Sequence, residues 1–287
     1  MSQKDVCILG AGGWPPKNNA GGHQLPHKIS DSETKDQLES KAFSADDKER
    51  IRIAIKKKYS AVSSSAEGYF KYPVGKAGAI LLGYDKAILE DIPAEMLRSF
   101  CGVGNPFAIE RIEKNTAALD IGCGAGFDLL VASQLVGPSG KVVGVDLTEE
   151  MVDKARENLE SMQIKNYEIY HISSEQLPFA DNSFDVVISN GVINLSPDKP
   201  RIFAEIYRVL KKGGRLQFAD IILEKQLPPH LTASVESWSQ WIGGAISGGD
   251  QLILMENAGF IEVVQVGKTS VKTSEYTVGA LFKGNKP

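Results

Sequence analysis

The ten residues Ala117–Gly126, AALDIGCGAG, constrain this chain more than any others. A short apolar run leads into an acid, glycines follow at 122, 124 and 126, and Phe127-Asp-Leu-Leu-Val-Ala-Ser then has the content of a largely buried helix. Such a run describes a β-strand, a tight turn and a helix N-terminus in an α/β sheet, which is where these sheets hold nucleotides.

The turn also restricts which nucleotide. Dinucleotide sites space their glycines G-x-G-x-x-G, so that backbone amides and the helix dipole hold a pyrophosphate. Here the spacing is G-x-G-x-G, and Asp120 stands two residues before Gly122, where it repels a diphosphate and suits an α-ammonium group. Lys141-Val-Val-Gly-Val-Asp146 reads as the next buried strand, ending on a carboxylate suited to accept from both hydroxyls of a ribose. An amino acid at one end and adenosine at the other describe S-adenosyl-L-methionine, which carries no phosphate. A dehydrogenase or a non-binding α/β domain is the competing reading, and two agreeing motifs weigh against it.

LDIGCGAG followed by GVDLT is similar to the first two motifs of class I S-adenosylmethionine-dependent methyltransferases. The resemblance implies an α/β fold with a Rossmann-like seven-stranded sheet, mostly parallel with the last strand antiparallel, behind an N-terminal helical cap. From about Tyr59 to Gly259 the chain further resembles arsenite methyltransferases, in Gly102-Val-Gly-Asn-Pro, Ser189-Asn-Gly-Val-Ile-Asn-Leu195 and Trp241-Ile-Gly-Gly-Ala-Ile. By that resemblance Asp120, Gly122, Gly124, Gly126, Asp146, Leu147, Thr148, Met151, Ser174, Glu175 and Asn190 line the cofactor site, with Ser174 and Glu175 at the adenine edge and Asn190 beside the transferable methyl. The family presents thiolates in these three motifs, whereas this chain has Val103, Gly191 and Gly244. Trivalent arsenic is soft and needs thiolate ligands, so fold and cofactor carry over and the metalloid does not. Glycine at 191 and 244 predicts a roomier floor, open to an organic acceptor.

The rest of the chain is arranged around this centre. Residues 1–44 are rich in Gly, Pro, Asn, Lys and Ser and read as a flexible extension; Leu9-Gly-Ala-Gly-Gly-Trp-Pro-Pro imitates a glycine turn, but its prolines stand where a helix should wind. His23 and His27 in this extension have no further ligands nearby, and no metal site is expected. Residues 45–112 read as a helical cap. Ser44 caps its first helix, Ile51, Ile55 and Tyr59 mark the inner face, and Lys56–Lys58 read as a solvated, dipole-matched helix end in preference to an anion site. Tyr69, Phe70 and Tyr72 are either core or the roof of a sulfonium site. Phe100–Phe107 is either a structural entry, with Asn105-Pro106 opening a helix over 106–113, or a lid on the cofactor.

Residues 113–287 alternate β and α. Thr148 caps a helix with Met151, Ala155 and Leu159 inward; strands follow at 167–172 and 184–190. A helix over 199–212 closes at Gly213-Gly214, strand five covers 215–222, and an insertion at about 226–250 with Trp238 and Trp241 is expected to be helical. A helix over 251–258 and two closing strands complete the pattern.

Composition limits the partners. A net charge of −4 over 287 residues gives no electrostatic case for nucleic acid, and no apolar run reaches membrane-spanning length. Three cysteines, Cys7, Cys101 and Cys123, form no C-x-x-C pair, which suits a reducing, cytoplasmic setting. The expected partner is a small-molecule methyl acceptor. Methyl transfer needs alignment above all, with a base only if the acceptor must lose a proton. Asp220 at the end of strand five is the first candidate base and Tyr72 the second; His171 is expected as a core histidine and His230 as loop. Three functions stay open: methylation of a small organic acceptor, methylation of thiol-complexed arsenic dependent on Cys101, and non-catalytic cofactor binding.

Overall fold

A computed structural model describes residues 43–228, 238 and 241–287. The extension with Cys7, His23 and His27, and His230 in the insertion, lie outside the described residues. Phe43–Pro287 forms one compact unit.

Helix α1 (Ala45–Val62) begins where Ser44 accepts a hydrogen bond from the Asp47 amide at 3.1 Å, with Asp46 and Asp47 in the first turn. Ile51, Ile55 and Val62 are buried at helical spacing. The helix continues past Lys56–Lys58, which therefore lie along its length and do not match a terminal dipole. Short helices α2 (Gly75–Leu81), α3 (Lys86–Asp91) and α4 (Ala94–Leu97) follow. The helix expected over 106–113 is only a 3-10 turn at Pro106–Ala108, capped as expected by Asn105.

The sheet is built from β1 (Ala117–Ile121), β2 (Lys141–Asp146), β3 (Tyr167–His171), β4 (Phe184–Asn190), β5 (Leu210–Leu223), β6 (Ile261–Lys268) and β7 (Thr277–Asn285), in the order β3-β2-β1-β4-β5-β7-β6. The first five are parallel; β7 runs antiparallel to both β5 and β6. Helices α5 (Phe127–Val136), α6 (Glu149–Ser161), α7 (Lys199–Val209) and α8 (Gly248–Asn257) connect them. Side chains alternate across β1: Ala118 packs with Leu129 and Leu130, while Leu119 and Ile121 pack with Phe203 and Ile206 in the opposite layer. The strand order reverses between β1 and β4, and the crevice outside their carboxyl ends is the expected ligand position.

Two boundaries move. Helix α7 stops at Val209 because β5 starts at Leu210, pairs with Phe184 and bulges over 211–214 before resuming at Arg215. Within the insertion, residues 241–246 form turns, not helix.

Candidate functional site

The three glycines after β1 have left-handed backbones and separate tasks. A Cβ at Gly122 would collide with Val192 in the turn after β4, and one at Gly126 would press on Ala155 of α6 at 3.2 Å. A Cβ at Gly124 would meet only Met151 sulfur at 4.0 Å, so its surface faces open space. The turn's amides are already used: Gly122 and Cys123 donate to the Val145 carbonyl at 2.8 and 3.0 Å, and Gly124 donates to Asp146 Oδ2 at 2.9 Å. These amides offer a pyrophosphate no free donor.

Carboxylates dominate the same end of the pocket. Asp120 is 2% exposed and its Oδ2 has no hydrogen-bond partner. Burial, then the neighbouring Asp128 and Asp146, push its pKa well above the ordinary carboxylate range. Asp128 is also raised by burial, although Tyr84 Oη at 2.7 Å and Asn190 Nδ2 at 3.0 Å donate to it. Asp146 is raised by burial against the pull of its bonds from Thr148 and Gly124. Leaving a buried acceptor unmatched costs roughly 1–3 kcal/mol, so Asp120 Oδ2 suits a cationic donor. An α-ammonium fits these residues and a phosphate does not.

The other expected residues share this pocket: Leu147, Thr148, Met151, Ser174, Glu175 and Asn190 all line it. Their bonds refine the picture. Thr148 precedes α6 without a side-chain cap; its amide instead donates to Asp146 Oδ1 at 2.9 Å. Glu175 receives Arg52 at 2.6 Å and Ser196 Oγ at 3.0 Å, which ties the residue expected at the adenine edge to α1. Asn190 accepts from the Val103 and Gly104 amides at 2.8 and 3.2 Å and donates to the Gly104 carbonyl at 2.9 Å. Its amide thus clamps the 102–104 loop over the end of β4.

Asp220 is not on the pocket wall. It is 1% exposed, and its oxygens accept from the Asn194 and Ile221 amides at 2.7 Å each, so it fixes the turn after β4. Burial pushes its pKa up to about 7. Tyr72 is also off this wall, donating to the Cys101 carbonyl at 2.7 Å. His171 is not a core residue: it is exposed, with Nε2 3.0 Å from the Leu147 carbonyl oxygen.

The floor is not roomier. A Cβ at Gly191 would lie 2.8 Å from the Trp241 ring, and one at Gly244 would collide with the Asn194 carbonyl. The volume is filled at Gly244 by Asn194 and Trp238 and at Gly191 by Trp241, which is 2% exposed, adopts φ +68° and donates from Nε1 to Tyr59 Oη at 2.6 Å. Val103, at the third position, is fully buried. A left-handed backbone costs a non-glycine residue about 1–2 kcal/mol, so this placement of Trp241 is held by its surroundings.

The sequence does not mark Arg52, Tyr59, Phe100 and Trp241 as residues of this wall. They come from the cap and the insertion, whose helical spacing shows an inner face but not what that face covers. Only Trp241 had a signal, its place in a family motif.

Comparison with known proteins agrees with this geometry. Residues 112–259 match the family model described as a methyltransferase domain. An arsenite methyltransferase of Halobacterium salinarum is 33% identical over 267 residues, 84% of this chain and 68% of its own length. The chain belongs to the class I S-adenosylmethionine-dependent methyltransferases. Its cofactor is therefore S-adenosylmethionine, and within the class it resembles the arsenite methyltransferases. The arsenite methyltransferase of Mus musculus is 40% identical over 169 residues, 56% of this chain but only 44% of that protein. The crystal structure of an arsenic(III) S-adenosylmethionine methyltransferase from Chlamydomonas reinhardtii superposes with a TM-score of 0.63 at 31% identity, covering 70% of this chain and 73% of that one. The methyltransferase has no helix among the described residues long and apolar enough to cross a membrane.

Proposed function

We propose that this methyltransferase acts on a small organic acceptor, with Asp120 taking the α-ammonium of S-adenosylmethionine, Asp146 the ribose hydroxyls, and Ser174 and Glu175 flanking the adenine. The acceptor's nucleophile forms a bond to the methyl carbon as the carbon–sulfur bond breaks, leaving the neutral thioether S-adenosylhomocysteine; any acidic proton on the acceptor goes to solvent. The cap segment 45–112 closes this site, since Arg52, Tyr59 and Cys101 stand on its wall.

The observation that carries the organic acceptor is the donor set. Cys101 is half-buried on the wall, and burial pushes its thiol up to about 12, so it is protonated at neutral pH. Cys123 is buried in the glycine turn with its sulfur against Gly144 of β2. No cluster of three His, Cys, Asp or Glu side chains able to hold a metal occurs among the described residues. Among the described residues arsenic(III) would find only the thiols of Cys101 and the turn-buried Cys123 here, both raised by burial, in a pocket lined largely by apolar and aromatic groups.

A second reading keeps arsenite as substrate, carried by external thiols with Cys101 as the one protein ligand; the position of Cys101 and the names of the relatives favour it. Formation of S-adenosylhomocysteine should be followed with phenols, amines and thiols, and separately with arsenite plus glutathione. Turnover with an organic class that survives Cys101→Ser is expected. Turnover with arsenite alone, abolished in Cys101→Ser, would overturn the organic reading.

A further inference from the structure

Beside the cofactor pocket lies an open recess of about 860 Å³, within the range of roughly 300–1,000 Å³ typical of small-molecule sites. It lies between α1 and the 68–72 segment, with Thr273 and Ser274 also on its lining. Trp241 belongs to both walls, so this buried side chain stands between the two cavities. On the recess side its ring stands 5.7 Å from Phe70 and 6.0 Å from Tyr72, and Phe70 and Tyr72 are 5.4 Å apart. Trp241 and Tyr72 are buried, so of these three tilted rings the partly buried Phe70 faces the recess with the other two packed behind it.

Among the described residues that line the recess, every charged side chain is a lysine. Lys57, Lys58 and Lys71 line it, and no carboxylate does among the described residues. That contrasts with the cofactor pocket, where Asp120, Asp128 and Asp146 stand together, and with a chain whose net charge is −4. Lys58 Nζ sits 4.6 Å from the Phe70 centroid, so cation and ring form one surface. Since α1 continues to Val62, the lysines are not there to match a helix end. Burial also lowers the Lys58 pKa, as expected where a cation lacks full hydration.

Resting on the organic-acceptor reading, we propose that this recess is the acceptor subsite and selects a ring-sized apolar molecule bearing an anionic group. Tyr69 and Phe70 hold the body, Lys57 and Lys71 hold the anion, and Trp241 is the wall the nucleophile must pass to reach the cofactor pocket.

The probes are 3-hydroxy-2-naphthoate and its neutral amide, titrated calorimetrically into protein saturated with S-adenosylhomocysteine. The naphthoate should bind at least about 10-fold tighter than the amide at low salt, and the preference should shrink as salt screens the lysines. The double variant Lys57→Ala, Lys71→Ala should abolish the preference and leave cofactor affinity unchanged. Equal binding of acid and amide, binding of neither, or a preference untouched by the double variant would each overturn the subsite. The organic-acceptor reading is tested apart from this: it stands if neutral nucleophiles generate S-adenosylhomocysteine whatever the naphthoate does, and falls if no organic nucleophile does.

Discussion

Asp120→Asn isolates the electrostatic core of the cofactor site. The variant keeps the shape of the side chain and removes one buried charge whose Oδ2 has no protein partner. Two unit charges about 4 Å apart interact by about 4 kcal/mol at an effective dielectric of about 20. Desolvation offsets part of this, so a loss of about 2–4 kcal/mol in S-adenosylmethionine binding is expected, roughly 30- to 900-fold in Kd. 5′-Methylthioadenosine has the same nucleoside without the amino acid, and its Kd should stay within about twofold. A proton gives a second readout. Asp120 has a raised pKa in the free site, and an ammonium beside it lowers that pKa, so binding releases a proton and affinity climbs with pH until the free carboxylate is ionised. Calorimetry in buffers of different ionisation enthalpy should detect this release in the wild type and not in the variant. Equal losses for both ligands would mean that the turn had collapsed, and an unchanged Kd for S-adenosylmethionine would refute the ammonium assignment.

Three further outcomes follow from the packing. Gly191→Ala places a methyl 2.8 Å from the Trp241 ring on a backbone at φ +75°; overpacking and left-handed strain should lower stability by about 2–4 kcal/mol in urea unfolding. Arg52→Ala leaves the buried Glu175 carboxylate with Ser196 alone, and a loss of about 3 kcal/mol with a lower Tm is expected; an unchanged Tm would show the pair to be dispensable. Asp220 titrates near 7 in the fold against about 3.8 unfolded, so the folded chain binds its proton more tightly. Its contribution is full below the unfolded value and is lost as pH rises to about 7, and Asp220→Asn should flatten that stretch of a Tm-against-pH profile.

Much of the fold was legible because buried parallel strands and glycine turns are encoded locally. β2 and β4 begin and end where their apolar runs do, and Met151, Ala155 and Leu159 face inward as their spacing requires. Failures came where tertiary contacts override local preference. Gly213-Gly214 resembles a helix stop, but pairing with β4 draws Leu210 into the sheet, and the glycines serve a bulge. Gly191 and Gly244 show the same limit at the site: composition gives the absence of a side chain, but not that Trp241, Trp238 and the Asn194 backbone have moved in to occupy the space. Asp220 stands at the expected strand end, but whether a carboxylate faces a cavity or its own backbone depends on the next turn, which no period in the sequence describes.

The cofactor pocket and the proposed acceptor subsite differ in charge, and on that proposal the difference orders the reaction. On one side burial raises the pKa of Asp120, Asp128 and Asp146, and the latter two raise that of Asp120 further; on the other side Lys57 and Lys71 suit an anion. S-Adenosylmethionine brings positive charge at both its ammonium and its sulfonium, whereas S-adenosylhomocysteine keeps only the ammonium. An anionic acceptor near the ring is therefore attracted to the charged cofactor and loses that attraction once the methyl has moved. The ammonium holds the cofactor in place through the step, while the vanished sulfonium charge weakens the hold on the methylated product. A site with both polarities in this order favours the loaded pair over the spent one. The acceptor's affinity should accordingly be higher beside a positively charged sulfonium analogue than beside S-adenosylhomocysteine; equal affinities would refute this coupling.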